Sequence, residues 1–359
     1  MKICIIGSGL SALTLAKTLV NLKINVDMVY PNKNYKISRS RTIGISKSNY
    51  EYFNSNIINI DKIIWKLKKI EIFSENLKNE KLLNFTNNNE QLFSIIKNSK
   101  LYELLDKSLS SNKFFKKEKF AKNFLFLKNY DLIVNTDYSN YLTKKFFNRK
   151  IIKLYNSFAH TTLIKHKKIS NNVATQIFTK KGPLAFLPIS NNKTSIVFSI
   201  NYFRNTKINN FENLIQKYNS KYKIEKIEKI ESFELKSLNL RNYYINNILA
   251  FGDLLHRIHP LAGQGFNMTI RDTRVFTDIV KEKINLGLPL DSSVNKEFEK
   301  RVRHKNYIFT NSIDFIHEFF NLERKLNTSI LSRSVKILGD NPSINKMFTK
   351  IADKGIFNY

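Results

Sequence analysis

The sequence predicts an α/β fold: a βαβ unit interrupted by an antiparallel-sheet region and followed by a helical C-terminal region. Three observations lead there. The chain begins with an apolar strand, Ile3-Cys4-Ile5-Ile6, a glycine turn, Gly7-Ser8-Gly9, and a helix start. Far downstream the buried-strand pattern Asn247-Ile248-Leu249-Ala250-Phe251 runs into Gly252-Asp253, then through Pro260, Gly263 and Gly265 into a helix opening near Asn267. Between them, from about Lys150 to Phe233, alternating strands dominate.

In chain order, the first strand and turn lead to a helix over Ser11 to Asn21, a strand over Ile24 to Tyr30, a basic loop and a second helix. Short alternating strands follow at Ile70 to Phe73 and Leu82 to Phe85, then helical spacing over Leu92 to Leu109 and a buried strand over Tyr130 to Asn135. Gln176 to Thr179, Leu184 to Pro188 and Ser195 to Ile200 read as consecutive antiparallel strands, and Phe211 to Lys221 as a helix. Beyond Pro289 the chain is helical and basic. The division that results is a discontinuous nucleotide-binding domain (1–65, 96–150 and 240–290), a second domain (66–95 and 151–239) and a C-terminal helical region (291–359).

With 359 residues, 42% of them hydrophobic, the chain can fill a sizeable core. It has no apolar run of the roughly 18 residues that a spanning helix needs, and its first apolar stretch belongs to the glycine-turn motif rather than to a signal peptide. A lone cysteine, Cys4, excludes an internal disulfide and fits a reducing cytoplasm. The net charge of +31 is spread over the whole chain, with lysines scattered among carboxylates and amides, so it reads as a solvated surface with a weak attraction to anionic lipid. Nucleic acid is not expected as a partner, because no recognition motif or stacking aromatic accompanies the charge.

The spacing Gly7-x-Gly9-x-x-Ala12, placed between strand and helix, suits a phosphate cradle: close backbone approach at the glycines and a helix N-terminus behind them. The acidic residue expected about twenty positions on to grip a ribose hydroxyl is replaced by Tyr30, while Asp27 is expected to point elsewhere from inside its strand. In the second segment Asp253 stands at a strand tip, and Gly263 and Gly265 open a helix whose positive end faces the loop. His256 and His259 lie three apart with no Cys, Glu or third His at ligand spacing, so no metal site is expected. No nucleophile elbow or Cys–His pair is present in the sequence either.

The segment Gly252-Asp253-Leu254-Leu255-His256-Arg257-Ile258-His259-Pro260-Leu261-Ala262-Gly263-Gln264-Gly265-Phe266-Asn267 resembles the second flavin-binding motif of FAD-dependent aromatic hydroxylases with the p-hydroxybenzoate hydroxylase fold, and within them the ubiquinone-biosynthesis hydroxylases. Only Leu254 and Leu255 depart from that wording. Ala174 to Thr179 with Gly182 to Pro188 resembles the family's substrate-domain strands, and Arg41 to Ser46 its loop after the second strand. The resemblance implies a Rossmann-like FAD-binding domain interrupted by an antiparallel-sheet substrate domain. It implies that Gly7, Gly9 and Ala12 cradle the FAD pyrophosphate, that Arg41 contacts its diphosphate or ribose region, and that Asp253 accepts from a ribityl or ribose hydroxyl. Pro260, Gly263, Gln264, Gly265 and Asn267 would border the isoalloxazine. Asp137 is kept from a family motif that serves both flavin and NAD(P)H, but the glycine after it is Tyr138, which tolerates positive φ poorly and so requires a different or strained turn.

The activity implied is hydroxylation of a polyprenylated phenol in ubiquinone biosynthesis through a flavin hydroperoxide, with no catalytic side chain since the flavin carries the chemistry. The electron donor would be NAD(P)H, or electrons would come from a separate reductase or ferredoxin. The alternatives are an FAD-dependent reductase or dehydrogenase of an isoprenoid substrate, and a degenerate flavoprotein without turnover. The tail from Leu322 to Phe357, with Leu326, Ile330, Leu331, Val335 and Leu338 among Arg324, Lys325, Arg333 and Lys336, reads either as helix packed on the core or as a peripheral contact with the inner membrane face.

Overall fold

A computed structural model describes residues 1–30, 38, 40–77, 80–86, 91–119, 124–201, 211–259, 263–326 and 328–355, with backbone alone at 124–126 and 201. Nine helices are present among them: α1 (Leu10–Asn21), α2 (Lys47–Asn56), α3 (Asn98–Ser110), α4 (Tyr141–Phe146), α5 (Phe211–Tyr218), α6 (Gln264–Asn285), α7 (Ser292–Leu326), α8 (Ile330–Asp340) and α9 (Pro342–Lys354). The α/β fold with a helical C-terminal region matches the sequence expectation.

The first strand, Lys2–Ile6, lies between Asn25–Tyr30 and Leu132–Asn135, all parallel. Phe115–Lys119 extends this sheet on one side, and Ile248–Ala250 with the antiparallel Tyr244–Ile245 on the other. Its strands are near-continuous apolar runs because helices cover the parallel sheet. Ala12, Leu15, Ala16 and Leu19 of α1 are buried against Ile3, Ile5 and Val26 in the largest core cluster. α1 ends where Lys23 adopts φ +61° and its N–H reaches the Val20 carbonyl at 3.0 Å, so a lysine occupies the left-handed position usual for glycine.

A second sheet orders as His256–Arg257, Glu231–Leu240, Lys150–His166, Lys193–Asn201, Gly182–Ser190, Val173–Thr179, Lys69–Ser74 and Lys81–Thr86, with Ile224–Ile227 beside Lys150–His166. It is antiparallel apart from one parallel pair, Val173–Thr179 with Lys69–Ser74. The 17-residue strand Lys150–His166 shifts register between Leu154 and Phe158, where Asn156 takes φ +49°. Such a bulge bends the strand locally and increases its twist.

A small third sheet joins Thr42–Ser46, Phe93–Lys97 and Ile64–Leu67. Phe93–Lys97 is thus a strand, whereas the sequence reading placed it in a helix from Leu92. Its apolar run fits either period, and pairing on both edges decides the matter; α3 begins only at Asn98, whose N–H donates to the Arg41 carbonyl at 3.1 Å. The helix expected near Asn267 starts three residues earlier, at Gln264. Among the described residues no helix is long and apolar enough to cross a membrane.

Candidate functional site

At the first glycine turn, Gly7 has φ +122° and donates its N–H to the Val29 carbonyl at 2.9 Å. A side chain there would collide with the Thr136 hydroxyl. Gly9 caps α1 with no side-chain cap, and a Cβ on it would meet none of the described residues within 4 Å. Among the described residues the N–H groups of the first helical turn therefore border open space, the arrangement that holds an anion at a helix N-terminus. Ala12 is fully buried in that turn.

The downstream strand end is fitted against this turn. Gly252 takes φ +64°, and a Cβ on it would stand 2.5 Å from the Ser11 Cβ, so only glycine lets the segment approach α1 so closely. Asp253 follows in a single 3-10 turn, Gly252–Leu254. Its carboxylate is exposed and makes no hydrogen bond or ion pair with a described residue. An acceptor is thus held unspent beside the glycine turn.

Of the remaining motif residues, Pro260 lies outside the described residues. Gly263 caps α6 in the left-handed region, φ +64°, and a Cβ on it would lie 3.1 Å from the Gly44 nitrogen. Asn267 is completely buried, and all its bonds go to protein: Oδ1 accepts from the Ser46 N–H at 3.1 Å and from Asn49 Nδ2 at 3.0 Å, while Nδ2 donates to the carbonyls of Gly44 at 3.0 Å and Gly263 at 3.3 Å. Gln264 is equally committed. Its Nε2 donates to the Ala352 carbonyl at 3.0 Å and its Oε1 accepts from Arg271 at 3.1 Å. A Cβ on Gly265 would lie 4.0 Å from Ile258. The side chains of Gln264 and Asn267 thus brace the wall, and the backbone of Gly263 and of the first α6 turn is what remains for a ligand.

Sequence reasoning missed the braces. Ser46 Oγ donates to the Asp353 carbonyl at 2.8 Å and the Ser48 N–H to Asp353 Oδ1 at 2.8 Å, so the end of α9 closes against the same strand–helix junction. Nothing local in the sequence near Ser46 marks a partner more than 300 residues away.

His256 and Asp272 form a buried pair at 2.5 Å, and Asn306 donates to the other Asp272 oxygen at 3.0 Å, tying the motif to α6 and α7. His259 is buried with neither ring nitrogen bonded, its ring 4.5 Å from that of His317 and 4.9 Å edge-on from Tyr155. Burial, with the His317 charge adding to it, holds His259 well below the usual imidazole range. No group of three metal-ligating side chains occurs among the described residues.

No family model matches the chain. It is 28% identical over 155 residues to the 3-demethoxyubiquinol 3-hydroxylase of Escherichia coli, a match covering 40% of this chain and 39% of that protein. It is 25% identical over 126 residues to the ubiquinone biosynthesis monooxygenase COQ6 of Schizosaccharomyces pombe, covering 35% of this chain and 26% of that one. The matched part is therefore well under half the length of these curated relatives. Across nearly the whole chain the fold is that of Klebsiella pneumoniae HpxO, solved with FAD and uric acid (TM-score 0.76, 12% identity, 98% of this chain and 97% of that one). Pseudomonas putida p-nitrophenol 4-monooxygenase shares it as well (TM-score 0.77, 9% identity, 97% and 96%). Over part of its length the chain is thus similar to ubiquinone-biosynthesis monooxygenases and hydroxylases, and over nearly all of it the fold is one shared with FAD-binding monooxygenases.

Against the hydroxylase pattern, the departures find physical explanations. Tyr138 does not take a left-handed φ: the turn differs and is unstrained in this respect, with Asn135 accepting from the Asp137 N–H at 3.1 Å and from Asn140 at 2.7 Å. The Asp137 carboxylate turns to Ser139, accepting from its N–H at 2.8 Å and its hydroxyl at 2.7 Å. Tyr138 itself is exposed beneath the Arg257 guanidinium. Arg41 stacks on Phe233 of the second sheet, 3.9 Å from the ring centroid. Asp27 is buried in its strand and held by Tyr130 and Lys2, each at 2.7 Å, which takes it out of any ribose contact.

Proposed function

We propose that this chain is an FAD-dependent monooxygenase that hydroxylates a polyprenylated phenol in ubiquinone biosynthesis. The observation that carries the reading is the convergence of Gly9, the uncapped N-terminus of α1 and the free Asp253 carboxylate, brought together because Gly252 packs on Ser11. This cradle fits a diphosphate beside a polyol: backbone N–H groups for the anion and one carboxylate for a hydroxyl. The relatives' names supply the substrate class, and the neighbour solved with FAD supplies the cofactor.

In this reading the parallel sheet and its helices hold FAD, and the larger antiparallel sheet faces the phenol. Gly7 and Gly9 let the backbone approach the pyrophosphate, with Ala12 keeping α1 tight against the sheet. Asp253 orients the ribityl or ribose chain. Gly263, Gly265 and the N-terminus of α6 border the ring end, where the helix dipole stabilises negative charge. Asn267 and Gln264 act on that end by fixing its walls. FAD, when bound, supplies activation of oxygen; NAD(P)H is the electron donor we favour, ahead of a separate reductase or ferredoxin. The buried core around the motif excludes water from the ring.

Expression followed by flavin absorbance tests the first step, and a folded, colourless protein that takes up no added FAD refutes it. Phenol-dependent oxygen consumption with a hydroxylated product tests the second. A non-catalytic flavoprotein is the competing reading, favoured by the turn of Asp137 toward Ser139. Rapid bleaching of the bound flavin by NADPH or NADH would eliminate it.

A further inference from the structure

His259 is 1% exposed, and among the described residues neither of its ring nitrogens has a hydrogen-bond partner. Its neighbours offer it rings rather than polar atoms. The His317 ring lies 4.5 Å away and the Tyr155 ring 4.9 Å away, edge-on. The Tyr155 hydroxyl is spent on Asp314, whose other oxygen accepts from Ser237 at 3.3 Å. His317 Nδ1 is itself unbonded and stands 4.0 Å from the Glu318 carboxylate. Burial keeps the His259 ring neutral, so one nitrogen carries a proton and the other a lone pair. Leaving both unmet in a dry interior is costly, and such orphans are rare in folded proteins.

The surroundings of the ring narrow what can meet it. Ile258, one residue earlier, lies 4.0 Å from where a Cβ on Gly265 would stand, so this segment runs against the first turn of α6. On the other side Tyr155 packs with Ala159, Leu235 and Phe233 of the second sheet. Arg41 covers Phe233 and leads into the strand Thr42–Ser46. That strand returns to the N-terminus of α6 at Gly44, whose nitrogen lies 3.1 Å from a Cβ on Gly263. His259 thus stands where the start of α6 meets an apolar, aromatic face of the antiparallel sheet.

We propose that the His259 imidazole is the receptor for the substrate's hydroxyl: its lone pair accepts from the O–H of a free phenol and selects it against ethers. The inference rests on the function proposed above, in which the ring end lies at α6 and the phenol on the second sheet. A neutral imidazole suits the task, because an imidazolium has no lone pair to offer a donor. The rings around it admit an aryl group, while an alkyl cap on the oxygen leaves the nitrogen unmet. A site built to bond a hydroxyl rejects the analogue without that donor far more strongly than an apolar pocket does. His259 is in this sense a specificity residue.

The test is titration calorimetry of the full chain, with and without added FAD, against 2-prenylphenol and its methyl ether. The wild type is expected to bind the phenol at least about tenfold more tightly than the ether. His259→Leu should bind the two alike and keep its melting temperature, since the lost ring carries no hydrogen bond. His259→Gln, whose amide oxygen also accepts, should restore part of the preference, a rescue that a packing role would not show. In the wild type the ring nitrogen resonances of His259 should shift on adding the phenol and stay in place with the ether. The proposal is overturned if the wild-type chain binds neither ligand or both equally, or if a folded His259→Leu keeps the preference. Resonances that ignore the phenol overturn it whether or not that variant folds. A phenol preference lost in His259→Leu, in a chain that takes up no FAD, would sink the monooxygenase reading and leave this one standing. A flavin-loaded chain indifferent to the hydroxyl would do the reverse.

Discussion

The side-chain amide of Asn267 donates to the Gly44 carbonyl at 3.0 Å, joining residues 223 positions apart with no solvent between them. With its other bonds, this one side chain fastens the N-terminus of α6 to the strand Thr42–Ser46 and the start of α2. The shape of the wall around the N-terminus of α6 therefore depends on a side chain whose polar atoms are all taken by protein partners.

Asn267→Ala should accordingly act on stability before it acts on binding. It strands the Ser46 N–H and the Gly44 carbonyl in a dry interior, a cost of about 2–4 kcal/mol. Chemical denaturation should show a lower midpoint with an unchanged slope. A variant of wild-type stability would mean that the clamp is dispensable.

Asp253→Ala should do the opposite. The carboxylate is exposed and has no partner among the described residues, so unfolding is expected to shift by no more than about 0.5 kcal/mol. Loss of one charge-assisted hydrogen bond should weaken FAD binding by about 1.5–3 kcal/mol, roughly tenfold to a hundredfold by flavin fluorescence titration. Full retention of FAD affinity would remove Asp253 from the cradle.

Gly263→Ala combines a left-handed φ with a new methyl 3.1 Å from the Gly44 nitrogen. The backbone penalty alone is about 1–2 kcal/mol. With Gly263 bordering the flavin ring as proposed, the flavin absorbance band of the variant should also shift or lose its fine structure. An unchanged spectrum in a folded, flavin-loaded variant would place the ring elsewhere.

The contrast between Asp253 and Asn267 shows what was legible in the sequence. A glycine turn followed by a helix is a local instruction, since the positive φ of Gly7 and the bare Cα of Gly9 are properties of those residues alone. The α/β fold was legible for the same reason, through strand runs and helical spacing. Where a side chain points is not local. Asn267 and Gln264 read as bordering the ring because they belong to the motif, and the partners that hold their side chains, Gly44, Ser46 and Ala352, lie far off in the chain. Phe93–Lys97 read as helix because a short apolar run carries no pairing information. The stacking of Arg41 on Phe233 is likewise invisible in the sequence, since the two lie far apart in the chain.

The histidine pair gives the sharpest pH dependence. His259 and His317 face Tyr155, with Asp314, Glu318, Lys153 and Arg324 as the charged groups around them. Burial lowers the His317 imidazole from 6.5 to about 4 and holds His259 well below 6.5. Unfolding restores the ordinary value, so below pH 6.5 the unfolded chain binds protons that the folded chain refuses. Stability contributed by the neutral rings is therefore complete above pH 6.5 and is lost as the pH falls from there toward about 4. Each histidine can contribute a slope of up to about 1.4 kcal/mol per pH unit in that window. Most carboxylates titrate lower, so the window isolates the histidines. His317→Gln should leave the unfolding free energy flatter between pH 7 and pH 5 than in the wild type, whatever its absolute stability. Equal slopes in the two proteins would show that the imidazoles are not the source.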